Sequence, residues 1–147
     1  MKDFHLRFCL DTKGWYTHLF NLMQDGVDDV PSTGGAYVLG TSDGTMLTYP
    51  WGSSPIFYIG KADDLKTRLR AHRKNIRGAM EDHEELYWWQ RYQYGAAFGA
   101  HCAYYSRKGP ENVQNVEAAL IESFYLVFGS IPAANSSWPR RIEPKQD

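Results

Sequence analysis

Phe57-Tyr58-Ile59-Gly60-Lys61-Ala62-Asp63-Asp64-Leu65-Lys66-Thr67-Arg68-Leu69-Arg70-Ala71-His72-Arg73 reads as a short apolar strand, a glycine turn and a basic amphipathic helix. Ile56, Phe57 and Ile59 carry strand propensity, and Gly60 permits a tight turn or a close backbone approach. Asp63 or Asp64 suits the helix cap, where a carboxylate accepts from free N–H groups and meets the positive end of the dipole. Leu65, Leu69, His72 and Ile76 recur at the spacing of one helix face, which predicts a helix over about 64–76. Arg68 and His72 are four residues apart and so are neighbours on the helix surface, beside that apolar stripe. A tyrosine in the preceding strand can point at the same place. Tyr, Arg and His converging on one spot suggests chemistry on an anion.

Three further stretches extend the pattern. Gly35-Ala36-Tyr37 opens an apolar run upstream, Glu117-Ala118-Ala119-Leu120-Ile121 lies downstream, and Pro132-Ala133-Ala134-Asn135 follows. In that order the set resembles the GIY-YIG nuclease domain. That domain has a Gly-x-Tyr strand, a Tyr-Ile-Gly strand, Arg and His on the next helix, a Glu near Leu-Ile on a later helix, and an Asn after a proline. The resemblance spans residues 34–135, with Ala36 where the family usually has Ile. It implies an α/β fold of the α+β type: a small, mainly antiparallel three-stranded sheet flanked by helices. Residues 1–33 would add an N-terminal strand and helix packed on that core, and 136–147 an irregular tail.

The same resemblance implies a metal-dependent endonuclease hydrolysing phosphodiester bonds, most of all in DNA. Tyr37, Tyr58, Arg68, His72 and Asn135 match the catalytic positions, and Glu117 matches the ligand of one Mg²⁺ or Mn²⁺ ion. A hard cation that keeps several waters needs few protein carboxylates. Arg68 would hold a non-bridging phosphate oxygen, and Tyr37 would deprotonate or position the attacking water. A tyrosine near its usual pKa of about 10 is a poor base at neutral pH unless positive charge stands nearby, and Lys61 or the metal could supply it. Tyr58 and His72 would hydrogen-bond the phosphate, the water or Tyr37, and Asn135 would hold the site together. The alternative is a non-catalytic nucleic-acid-binding or protein-interaction module on the same fold.

Charge distribution fits a localised nucleic-acid contact. The 147-residue chain has a formal net charge of −1, which argues against non-specific coating of nucleic acid. Yet seven Lys or Arg stand against two Asp between Lys61 and Arg77. Lys61, Arg70, Arg73 and Lys74 are the candidate phosphate binders around Arg68, though such a helix can equally be a solvated outer face. A homodimer or a protein complex could supply further DNA contacts. Length and a 43% hydrophobic content suit one domain with a real core. No apolar run approaches a membrane span, and no signal peptide is visible, so a cytoplasmic protein is expected. Cys9 and Cys102 lack metal-ligand spacing and read as buried thiols.

Periodicity predicts the remaining elements. Phe4, Leu6, Phe8 and Leu10 alternate as in a half-buried strand, and Trp15, Leu19, Leu22 and Met23 follow at helical spacing up to Gly26. Residues 35–40 form a strand with Tyr37 and Leu39 on one face and Ala36 and Val38 on the other. Pro50 and Pro55 leave 46–55 as a loop or partial strand. A helix is expected over 84–94, whose Trp88, Trp89, Tyr92 and Tyr94 beside Arg91 are either a base-stacking platform or core. Residues 100–106 read as a third strand. A last helix over 111–128 carries the stripe Val113, Val116, Leu120, Phe124 and Val127, with Pro110 in its first turn. Glu117 falls within that stripe, where a carboxylate needs a cation or a partner such as Arg68.

Overall fold

The computed structural model describes residues 19–81, 89–107, 109–110 and 112–137. In chain order these form β1 (Phe20–Asn21), α1 (Leu22–Asp25), β2 (Gly35–Gly40), β3 (Leu47–Tyr49), β4 (Gly52–Ser54), β5 (Ile56–Ala62), α2 (Leu65–Glu81), α3 (Gln90–Phe98), β6 (His101–Ser106) and α4 (Val113–Phe128). The arrangement is mixed α+β. An antiparallel sheet in the order β1-β6-β2-β5 stands beside a two-stranded ribbon of β3 and β4. Among the described residues no helix is long and apolar enough to cross a membrane.

Among the described residues the sheet has four strands, where three were expected. The fourth arises because Phe20-Asn21 is extended and pairs with Cys102 and His101, although helical spacing placed it in a helix. Asn21 explains the difference: its side-chain oxygen accepts from Met23 N and Gln24 N at 3.1 Å each. That cap starts the helix after Asn21 and leaves the preceding residues free to pair. The anticipated strand over Phe4–Leu10, and Cys9, lie outside the described residues. Cys102 is buried, and burial pushes its thiol pKa up.

Three other boundaries move for local reasons. The prolines keep 46–55 out of the main sheet, but the stretch closes into the ribbon around Pro50-Trp51. Helix α2 continues to Glu81 because Ala79 prolongs the buried stripe of Leu65, Leu69, His72 and Ile76. Asp64 is its cap, accepting from Thr67 N at 3.0 Å. Helix α4 begins at Val113, since Asn112 caps it by accepting from Gln114 N at 2.9 Å, so Pro110 lies outside the helix. Val127 is exposed, and Ile121 takes a place on the buried face beside Leu120 and Phe124. Helix α3 covers Gln90–Phe98 rather than 84–94; residues 82–88 lie outside the described set.

Strand β2 is buried along its whole length because both faces of the sheet are covered. As the alternation predicts, Tyr37 and Leu39 join the core beneath α2 and α3. Ala36 and Val38 join the core beneath α4 and the ribbon. Register then fixes β5: Tyr37 lies opposite Gly60 and Leu39 opposite Tyr58, while Gly40 pairs with Ile56 across a bulge that skips Phe57. Residues directly opposite share a face, so Tyr58 and Gly60 share the Tyr37 face, and Ile59 and Lys61 face α4. Gly60 is therefore inside a strand that runs to Ala62, not in a turn. Its second expected role, close approach, is the one it fills.

Candidate functional site

The free edge of β5 is where the chemistry-bearing residues gather. On one face of that edge, the Tyr37 hydroxyl and His72 Nε2 share a 2.5 Å hydrogen bond, whose donor depends on the imidazole tautomer. Strand β2 brings Tyr37 and helix α2 brings His72, and they are only 1% and 2% exposed. Tyr58 stands beside both, with ring centroids 6.0 Å from Tyr37 and 5.9 Å from His72. Burial drives the His72 pKa down to about 3, helped by the charges of Arg91 and Arg68. His72 is therefore neutral at neutral pH. Burial and the neighbouring Tyr58 raise the Tyr37 pKa well above its usual value despite those same arginines. Tyr37 thus stays protonated, a donor or positioner and not a resting base. Tyr58 is half-buried, and its pKa is also raised by burial, opposed mainly by Arg91.

On the other face, α4 presents Glu117 to Lys61. Burial raises the Glu117 pKa, and Lys61 opposes the rise. The anticipated alternative partner, Arg68, is not the cation that acts on it. Glu117 and Tyr58 line one open cleft of about 720 Å³ together with Arg91, Gln90 and Asn135. Lys61 and Arg68 line a second concavity of about 440 Å³ with Arg107 and Gln114. Lys61 Nζ donates to Gln114 Oε1 at 3.2 Å. The two hollows follow one another along β5, at Tyr58-Ile59 and at Lys61-Ala62, and Arg68 and Glu117 both act electrostatically on Tyr58, with opposite sign.

Asn135 closes the edge. An edge strand exposes unpaired N–H and C=O groups, and here one side chain satisfies both: Ile59 N donates to Asn135 Oδ1 at 3.0 Å, and Asn135 Nδ2 donates to Ile59 O at 2.9 Å. Ala134 N donates to Phe57 O at 2.8 Å, and the Tyr49 hydroxyl accepts from Ala133 N at 3.0 Å while donating to Ile56 O. The tail is thereby laid along β5. Asn135→Ala should cost about 1–3 kcal/mol, because two part-buried backbone groups lose their partner. Urea unfolding measures this, and an unchanged midpoint would refute the bracing role.

Not every candidate phosphate binder belongs here. Arg73 donates from Nε to Leu22 O at 3.1 Å and from Nη2 to Met23 O at 3.2 Å. It is a strut between α2 and the last turn of the short α1, whose carbonyls need partners, and this corrects its placement at the phosphate. Arg70 and Lys74 are exposed. Two residues from Arg68, at roughly 100° per residue, Arg70 projects from the opposite flank of α2, and neither residue lines the two hollows. Of the aromatic stretch, Tyr92 is buried and Tyr94 stacks on Phe57 at 5.6 Å and 20°, so both are core. Trp89 lines the cleft, and Trp88 lies outside the described residues.

Arg91 is the residue that sequence reasoning left unassigned. Its guanidinium lies over the rings of Trp89, Tyr92 and Tyr58 at 4.8, 5.0 and 5.4 Å. The available signal was a lone cation inside a run of aromatics, which in sequence is indistinguishable from a core cap. Among the described residues no group of three or more His, Cys, Asp or Glu is placed to hold a metal. Comparison with known proteins finds no matching family model, no similar curated protein and no similar solved structure.

Proposed function

We propose that this chain is a metal-dependent endonuclease of the GIY-YIG type, hydrolysing phosphodiester bonds in DNA, with residues 34–135 as the nuclease unit of a cytoplasmic enzyme. The observation that carries the reading is Glu117. It is a half-buried carboxylate with a raised pKa, on the wall of an open cleft, and no described side chain bonds to it. One carboxylate with space for water around it fits Mg²⁺ or Mn²⁺, which retain much of their hydration. Such a cation supplies Lewis-acid stabilisation of the phosphate and of the departing oxygen.

The protein's own groups divide the remaining work. Arg68 and Lys61 neutralise non-bridging phosphate oxygens from the second hollow. Tyr58, the tyrosine that reaches the cleft, orients the attacking water through its hydroxyl, and Tyr37 with neutral His72 holds Tyr58 in place. Asn135 fixes the β5 edge against which the substrate lies. A second reading, a non-catalytic nucleic-acid-binding module, is favoured by one observation: Tyr37 is almost fully buried with its hydroxyl occupied by His72. Affinity for DNA should be modest and fall with salt, given the near-neutral chain, and a homodimer or a partner protein would extend the contact surface.

Supercoiled plasmid and a single-stranded circle, incubated with Mg²⁺ or Mn²⁺ and with EDTA as control, test the proposal. Nicking that requires the metal is the expected result. An inert wild-type protein that still binds DNA would move the assignment to the non-catalytic module.

A further inference from the structure

The cleft holding Glu117 has one cation on its wall among the described residues, and the signature motifs give that cation, Arg91, no task. Three aromatic rings surround the guanidinium. They fix its plane in advance, so little side-chain entropy remains to be lost when a ligand arrives. Its Nε is buried and has no hydrogen-bond partner among the described residues. Arg73 shows the contrast within the same fold, since its Nε and Nη2 are committed to carbonyl oxygens. Arg91 is instead held over ring faces and by a hydrogen bond with Tyr92, which leaves part of its guanidinium fork for an acceptor.

Position supports a substrate role. Arg91 acts electrostatically on Tyr58 and His72, as Arg68 does, yet it lines the Glu117 cleft at Tyr58-Ile59 while Arg68 lines the hollow further along β5, at Lys61-Ala62. A polynucleotide running along the edge of β5 would carry phosphates at regular intervals past both guanidiniums. We infer that Arg91 forms a second phosphate subsite, taking a nucleic-acid phosphate that neighbours the one held by Arg68 and Lys61. The subsite rests on the nucleic-acid reading above, but it concerns binding and not the hydrolytic step.

Fluorescence anisotropy on a labelled oligonucleotide, single-stranded and as a duplex, tests it in Ca²⁺ across a salt series. The full chain is compared with Arg91→Met, which keeps the stem between the rings, and Arg91→Lys, which keeps the charge without the fork. Arg91→Met should bind about tenfold more weakly, as loss of one charge-assisted contact implies. Its slope of log affinity against log salt should flatten by about 0.9 on duplex or 0.7 on single strand, the value of one phosphate. Arg91→Lys should recover most of the slope and part of the affinity. A folded Arg91→Met, judged by its thermal midpoint, with wild-type affinity and slope would overturn the subsite. So would a weakened affinity with an unchanged slope, or a wild type that binds neither oligonucleotide. Parallel nicking assays in Mg²⁺ separate the two ideas: Arg91-dependent binding without nicking removes the nuclease and keeps the subsite. Nicking with an unaltered KM in Arg91→Met does the reverse.

Discussion

Glu117→Gln is expected to lose metal-dependent nicking by at least about 10²–10³-fold, the scale of removing one preorganised electrostatic group, while the folded protein becomes more stable at neutral pH. The two effects have one cause. Burial makes the charged carboxylate costly, and its folded-state pKa is raised above the ordinary 4.5. The folded chain therefore binds the Glu117 proton more tightly than the unfolded chain between those two values. Stability from this group is greatest below pH 4.5 and declines as pH rises through the raised folded value. Glutamine has no charge to desolvate, so its gain over wild type should be present at neutral pH and shrink as the pH falls towards 4.5. Thermal midpoints across that range measure it. Loss of activity with gain of stability is what a residue kept for function produces. Loss of both would make Glu117 a structural partner of Lys61, and retained nicking would place the metal elsewhere. Arg68→Ala should lose nicking to a similar degree without the stability gain.

Sequence reasoning succeeded where a local pattern and the tertiary environment agree. The period of α2 places His72 on the buried stripe, and the alternation of β2 places Tyr37 beneath α2. Those two facts bring Tyr37 and His72 together. What escaped depends on distant partners. The pairing of Phe20 with Cys102 joins residues far apart in sequence, and nothing local in Phe20-Asn21 announces it. Arg73 looked like its basic neighbours on α2, and only the carbonyls of Leu22 and Met23 distinguish it. Arg91 became visible only when three rings and a carboxylate-bearing cleft were assembled around it. Charge in a sequence identifies candidates; which ones face a common space is decided by the sheet edge.

The glycines of the two strand motifs should be the least replaceable residues of the site's framework, and for reasons of space alone, since neither is among the positive-φ glycines. A methyl group at Gly35 would overlap the Tyr105 carbonyl oxygen and come within 2.7 Å of Leu65 Cδ1. The obstacle is backbone of the neighbouring β6, which pairs with Gly35 through Ser106, so relief requires the sheet to part. Gly35→Ala should cost about 3 kcal/mol or more, the upper end for overpacking. At Gly60 the obstacles are side chains: Tyr37 Oη at 2.5 Å, Tyr37 Cζ at 2.6 Å and Tyr58 Cε1 at 2.8 Å. Rings can swing where a strand cannot, so Gly60→Ala should cost less, about 1–3 kcal/mol. Its damage should concentrate on function, because the displaced ring is the one bonded to His72. Chemical denaturation of both variants, with nicking assays on the folded fraction, separates these outcomes. Gly60→Ala that retains full activity would mean that Tyr37 need not hold this position, which would remove it from the mechanism. A Gly60→Ala variant that folds but does not nick would show that the glycine serves the tyrosines and not the strand.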